Sequence, residues 1–187
     1  MKHHILTTGI SLLENFRRAQ TPPLSVEDAI RHNKRLRQYL DSDAKAASAE
    51  INSLQNRTNF LHDKSKSLEV TLIYTTTPAG KLVFSLLNSY LKGKVAQVHS
   101  IPIKGFDAPH RSIDAADAQE TAAAALSQMR VRVAEHIAKM QKQSAEIELN
   151  CTGGFKAEVA ILYELGRTLR VPVYYLHESF KVCITLP

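Results

Sequence analysis

The residues of this chain best suited to chemistry gather where predicted strands give way to helices. In Asn150-Cys151-Thr152-Gly153-Gly154-Phe155-Lys156, Ile147 and Leu149 alternate with glutamates and lead into a glycine pair. Phe155, Val159, Leu162, Leu165 and Leu169 then recur at spacings of three or four, one face of a helix ending near Arg170. Strand, glycine turn and helix is the layout that points backbone N–H groups at an anion, usually a phosphate. Glycines let the backbone approach such a ligand closely, and Lys156 at the helix start adds a full positive charge. A plain tight turn with a solvated lysine fits the same spacing, because the run is neither G-x-x-x-x-G-K-[ST] nor G-x-G-x-x-G.

Three further junctions share the layout. The strand His4 to Thr8 ends at Gly9, and Ile10 and Ser11 precede the helical face of Leu12, Leu13 and Phe16. The Ser11 hydroxyl and N–H stand where they could meet a ligand, and helix N-capping is the local alternative. Thr75, Thr76 and Thr77 close the dense strand LEVTLIYT (68–75), with Pro78 at the first position of the next helix. Their hydroxyls suit phosphate or ribose, and capping and strand packing account for them equally well. Lys104 and Gly105, with Asp107, His110 and Arg111 nearby, follow a strand from Lys94 to Ile103 whose Pro102 marks an end or an edge.

The elements that must position these residues alternate as β-α-(αα)-β-α-β-α-β-α-β-β. Ser25 to Asp28 reads as a capping box opening a helix to about Leu40. A second inserted helix carries Ala47, Ile51, Leu54, Thr58 and Leu61 on one face, so residues 21–66 form an inserted helical pair. A long helix runs from about Asp114 to Lys142, with Ala115, Ala118, Ala122, Leu126, Met129, Val133, Ile137 and Met140 as its inner stripe. Val171 to Leu176 and Lys181 to Leu186 are strands close enough to form a hairpin. The expected fold is α/β and Rossmann-like: a mainly parallel sheet, helices on both faces and an antiparallel C-terminal edge strand. Ligands of such sheets lie beyond the carboxyl ends of the strands, where the four junctions converge. Tyr174 and Tyr175 read as core, and His177 and Glu178 as surface.

Composition narrows the function classes. The 187 residues are 44% hydrophobic and carry a net charge of +6, which favours anionic partners. A single domain is expected, with no membrane span and no signal peptide. Cys151 and Cys183 have no metal or redox spacing and read as small core residues with free thiols, in keeping with a reducing, cytoplasmic setting. Eight histidines are scattered without an H-E-x-x-H pattern or a Cys/His cluster, so no metal site is expected unless distant ligands converge. Arg31, Lys34, Arg35 and Arg37 cluster on one predicted helix. With no tryptophan and few aromatics, a base-stacking surface for single strands finds little support.

The runs TTGISLL (7–13), ASAEINSL (47–54), LIYTTTPAGKL (72–82), NCTGGFKAEVA (150–160) and VPVYYLHE (171–178), with the terminal ITLP, resemble the CARF family, the CRISPR-associated Rossmann-fold proteins of type III systems. The most specific run is N-x-T-G-G-x-K before a helix. The resemblance implies a homodimer that binds a cyclic oligoadenylate, from the family cyclic tetra-adenylate, across its two-fold axis. Gly9, Ile10, Thr75, Thr76, Thr77, Lys104, Asn150, Thr152, Gly153, Gly154 and Phe155 would line the ligand. No effector domain is expected after the last strand, and on that expectation the chain resembles the free-standing ring nucleases, which cut the messenger and switch the response off. In these the residues corresponding to Ser11 and Lys156 matter for cleavage, and Lys104 occupies the place of a basic residue that often contributes. No cofactor or metal is implied, because the ribose 2′-hydroxyl can attack the adjacent phosphorus. A non-catalytic sensor of the same messenger, relaying to a separate partner, is the main rival. A nucleic-acid-binding regulator using the Arg31–Arg37 cluster is a third reading, set aside because no winged helix or helix-turn-helix follows the sheet. A nicotinamide dehydrogenase lacks its G-x-G-x-x-G.

Overall fold

The structure, a computed structural model, describes residues 1–63, 66–106, 114–177 and 179–187. Six strands form one sheet: β1 (Lys2–Thr7), β2 (Leu68–Thr75), β3 (Gln97–Ile103), β4 (Glu146–Asn150), β5 (Val173–Leu176) and β6 (Cys183–Leu186). Their order is β3-β2-β1-β4-β5-β6, parallel throughout except for the β5–β6 hairpin. The expected α/β, Rossmann-like sheet with an antiparallel last strand is therefore present. Pro102 costs the ladder little, because β3 is an outer strand paired on one side with β2.

Alternate residues of the inner strands serve opposite layers, as a two-faced parallel sheet requires. Leu6, Leu68, Val70 and Leu72 point into one core with α1 (Ser11–Arg18), α2 (Val26–Arg31), α3 (Asn33–Ser42), α4 (Ala44–Ala47), α5 (Ala49–Thr58) and α6 (Pro78–Leu91). Ile5, Ile73, Ile101, Ile103, Ile147 and Leu149 point into the other, covered by α7 (Ala115–Lys142) and α8 (Lys156–Leu169). Ala47, Ile51 and Leu54 are buried in the first of these cores, so the inserted segment packs on the sheet. Among the described residues no helix is long and apolar enough to cross a membrane.

Local chemistry corrects several expected boundaries. The helix expected from Ser25 to Leu40 breaks at His32 (φ −90°, ψ 40°), which divides the basic cluster between α2 and α3. There Arg31 pairs with Asp28 and Arg37 with Asp41, while Arg35 lies over the Phe16 ring. The next helix breaks at Ser48, whose extended backbone lets its hydroxyl accept from Ile51 N–H and restart the chain as α5. The inserted pair is thus four helices. In α7 the inward stripe is Ala125, Met129, Val133, Ile137 and Met140, whereas Ala118 is exposed. The first strand is Lys2–Thr7, and β3 begins at Gln97 because Gly93 (φ +79°) turns the chain after α6. Cys151 is buried but Cys183 only half-buried, and Tyr174 is fully buried while Tyr175 is half-exposed. Asp107, His110, Arg111 and Glu178 lie outside the described residues.

Candidate functional site

From β1 the chain builds outward through β2 to β3, and it then returns to the other side of β1 as β4. The order of such a sheet reverses between β1 and β4, and crevices for ligands open there, outside the carboxyl ends. Those two ends carry Gly9-Ile10-Ser11 and Thr152 to Lys156. The turns touch: a Cβ on Gly9 would stand 2.8 Å from the Gly154 amide nitrogen, and one on Gly154 would stand 2.7 Å from Thr7 Cβ. Thr7 Oγ1 donates to Gly153 C=O, locking the turns together. Gly154 has φ +97°, in the left-handed region that side chains avoid.

A residue unassigned by sequence reading organises this crevice. Glu50, in the first turn of α5, is 1% exposed. Its Oε1 accepts from Gly9 N–H at 2.9 Å, and its Oε2 accepts from Ser48 Oγ at 2.7 Å and Ser11 Oγ at 3.1 Å. A Cβ on Gly153 would meet Glu50 Oε1 at 2.5 Å, so only glycine leaves room for the carboxylate. Ser11 is not the N-cap of α1. That position is Ile10, and Ser11 Oγ accepts from Ala49 N–H at 3.3 Å while giving its proton to Glu50. Two of its hydrogen-bonding positions are thereby taken, and one acceptor position remains.

On the other side of the turn, Glu158, 2% exposed, accepts from Phe155 N–H at 2.9 Å. Burial pushes its carboxyl above the ordinary range, and this hydrogen bond partly offsets the effect. The Gly9 and Phe155 amides are bound to carboxylates, which leaves the Lys156 ammonium to supply positive charge at this turn. Lys156 opens α8 and is exposed. Asn150 braces the turn from below, its Nδ2 donating to Ser53 Oγ at 2.7 Å and its Oδ1 accepting from Thr152 N–H at 3.0 Å. Thr152 Oγ1 accepts from Leu176 N–H at 2.9 Å, tying the turn to β5.

The remaining expected residues lie along the same rim but farther out. Thr77 caps α6 by accepting from Gly80 N–H at 3.0 Å, and Thr75, 3% exposed, bonds Thr77 Oγ1 at 3.0 Å. These bonds are the capping and packing that the sequence offered beside ligand binding. Thr76 is half-buried, and its amide donates to Ile103 C=O. Lys104 leaves the outer strand β3, two strand spacings or about 10 Å from β1. Its exposed side chain stands beside α7, and its amide donates to Gln128. The chain after Lys104 turns back, for Phe106 lies stacked beside Phe155 with ring centroids 6.4 Å apart. Phe155 is 49% exposed at the mouth of the crevice.

Two more features escaped sequence reading. Thr8, 3% exposed at the end of β1, has a hydroxyl with no hydrogen-bond partner among the described residues. An open groove of about 590 Å³ adjoins the turn at Thr152, and Lys45, Asn52, Tyr175, His177 and Lys181 are among its walls. Its polar residues come from four separate segments, around Asn15, Lys45–Asn52, Thr152 and Tyr175–Lys181, which no local spacing connects.

The family model for CRISPR-associated protein (Cas_APE2256) matches residues 45–187. No curated protein sequence matches the chain. In fold the chain is similar to protein VC1899 from Vibrio cholerae, at 9% identity and TM-score 0.54, covering 99% of this chain and 33% of that one. It is also similar to Can2 from Sulfobacillus thermosulfidooxidans, solved in complex with cyclic tetra-adenylate, at 11% identity and TM-score 0.53. That match covers 100% of this chain and 35% of Can2. Enterococcus italicus Csm6, bound to cyclic hexa-2'-fluoro-hexa-dAMP, matches at 12% identity and TM-score 0.51, over 97% of this chain and 34% of its own. The chain spans about a third of the length of these structures, and at such identities the likeness is one of fold. The family match begins within the inserted helices and continues through β2 to β6, including Glu50 and the Thr152–Lys156 turn, so the chain belongs to the CRISPR-associated Cas_APE2256 family.

Proposed function

We propose that this protein is a CARF-type ring nuclease. In this reading a homodimer binds a cyclic oligoadenylate, cyclic tetra-adenylate first among them, and cleaves it without a metal to linear products ending in 2′,3′-cyclic phosphate. The observation that carries the reading is the contact of the Gly9–Ser11 and Thr152–Lys156 turns over the buried Glu50 carboxylate, where the strand order reverses. The fold shared with Can2, whose structure holds cyclic tetra-adenylate, and the family match support the ligand class. A ring with an even number of adenylates can itself be two-fold symmetric, so an isologous dimer offers each half the same residues.

The chemistry follows from the hydrogen bonds. A ribose 2′-hydroxyl in the crevice donates to the one open acceptor position of Ser11 Oγ. As the 2′-oxygen attacks the adjacent phosphorus, its proton passes to Ser11 Oγ while Ser11 passes its own to Glu50 Oε2. The new bond is 2′-O–P, the broken one is P–5′-O, and water protonates the departing 5′-oxygen. Lys156 and the Gly153 and Gly154 amides hold the phosphoryl oxygens as charge develops. Holding attacker and phosphorus in line can be worth on the order of 7–11 kcal/mol. The half-exposed Phe155 ring offers a face to an adenine.

One observation favours the non-catalytic sensor. Ser11 and Ser48 both donate to the Glu50 carboxylate, as a purely structural network would. Incubation of cyclic tetra- and hexa-adenylate with wild-type protein and Glu50→Gln separates the two readings. The nuclease reading expects cleavage by wild type, lost in a Glu50→Gln protein that still binds the ring. Tight binding with intact rings would establish the sensor instead.

A further inference from the structure

We infer that His3, Glu69 and His99 form a binding site for a divalent transition-metal ion of the zinc class, at the end of the sheet opposite the crevice. The three residues sit side by side on β1, β2 and β3, with His3 in register with Glu69 and Thr71 with His99. Their donor atoms all lie within 4.8 Å of one another. Glu69 Oε2 is 3.1 Å from His3 Nδ1 and 3.3 Å from His99 Nε2. Ligands about 2.0–2.1 Å from a tetrahedral zinc ion stand about 3.3 Å apart, so little movement is needed to admit one. Two imidazoles and a carboxylate leave at least one position for water. The side chains of Glu69 and His99 keep 19% and 21% exposure, which gives an entry path, while His3 is fully buried.

The shell around these ligands is already built. His3 Nε2 lies 2.7 Å from Thr71 Oγ1, which lies 2.7 Å from His136 Nε2 on α7. With the metal on His3 Nδ1, the Nε2–H donates to Thr71, whose hydroxyl donates on to His136. That chain sets the tautomer a ligand needs, as outer partners of metal-bound histidines do. The three rings lie 5.3–5.6 Å apart, centroid to centroid. From His3 to Gly9 the chain runs about 20 Å. This ion therefore staples three strands and takes no part in the proposed cleavage.

Untagged protein stripped with EDTA and titrated with Co2+, then Zn2+, tests the site. The expected result is one ion per chain, visible Co2+ bands of tetrahedral intensity and a higher melting temperature in Zn2+. His99→Ala and Glu69→Gln should weaken binding by about 10-fold or more, and Thr71→Val by about 10–100-fold with every ligand intact. Metal-free variants that melt like metal-free wild type would show that the fold survives the changes. Wild-type protein that takes up no stoichiometric ion, or uptake that persists undiminished in His99→Ala and Glu69→Gln, would overturn the assignment.

Discussion

At Ser11 the hydroxyl has one proton, and Glu50 holds it. In the proposed cleavage a serine so placed serves as a relay rather than a nucleophile, and the proton acceptor is Glu50, 39 residues away and beyond the reach of short-range spacing. Lys156 is the opposite case, exposed and charged at the start of α8. Lys156→Ala should leave the melting temperature unchanged and slow cleavage by about 10²–10³, the usual loss on removing one donor to developing charge. Thr8 supports a prediction about stability. Its buried hydroxyl has no partner among the described residues, so Thr8→Val removes an uncompensated polar group at nearly constant shape. Chemical denaturation should find the variant more stable by about 1 kcal/mol. Cys151 is buried, and burial pushes its thiol up to about 12, in keeping with a core role rather than reactivity.

Among the elements, the inserted helices matter most, for α5 supplies Glu50 from its first turn and Arg57 from its last. Arg57 clamps Glu148 on β4 through bonds of 2.6 and 3.0 Å, joining helix to sheet. Burial alone would push the Glu148 carboxyl up. The Arg57 hydrogen bonds, with the neighbouring His4 and Arg57 charges, outweigh it and hold the carboxyl below its ordinary value. A depressed carboxyl contributes stability that is present at neutral pH and lost as pH falls below about 4.5 through the folded value. Glu148→Gln should therefore cost about 1–3 kcal/mol at pH 7 and flatten the acid limb of the stability profile.

The strand–turn–helix junctions were legible because glycine, threonine and proline announce turns and caps by local chemistry. The breaks at His32 and Ser48 were not, since neither residue is a glycine or a proline that would announce a helix end. Nor was Glu50, which to a periodic reading is a polar position beside Ile51. Only the run ASAEINSL, which resembles the CARF family, contained it. The outward first turns of α7 escaped for a related reason, because alanine fits an inner stripe and an exposed face equally. The expectation of no metal site rested on short-range spacing, whereas His3, Glu69 and His99 are brought together by strand register. Gly153 shows how far a turn depends on its neighbours, for Gly153→Ala would drive a methyl into Glu50 Oε1. That variant should melt lower than wild type and lose ring cleavage together with ring binding.

At the scale of the whole molecule, one end of the sheet holds the crevice and the other the histidine cluster. A ligand crevice at the reversal of strand order is open on its solvent side, which a second copy of the chain would close in the proposed dimer. Calorimetric titration with cyclic tetra-adenylate should then give one ring per two chains. The most direct test of the central claim is incubation of metal-stripped wild-type protein and Lys156→Ala with cyclic tetra-adenylate in EDTA, followed by chromatography of the products. Wild type should yield linear oligoadenylates ending in 2′,3′-cyclic phosphate, and Lys156→Ala should leave the ring essentially intact over the same time. Rings left intact by wild type, or cut equally fast by Lys156→Ala, would contradict the claim.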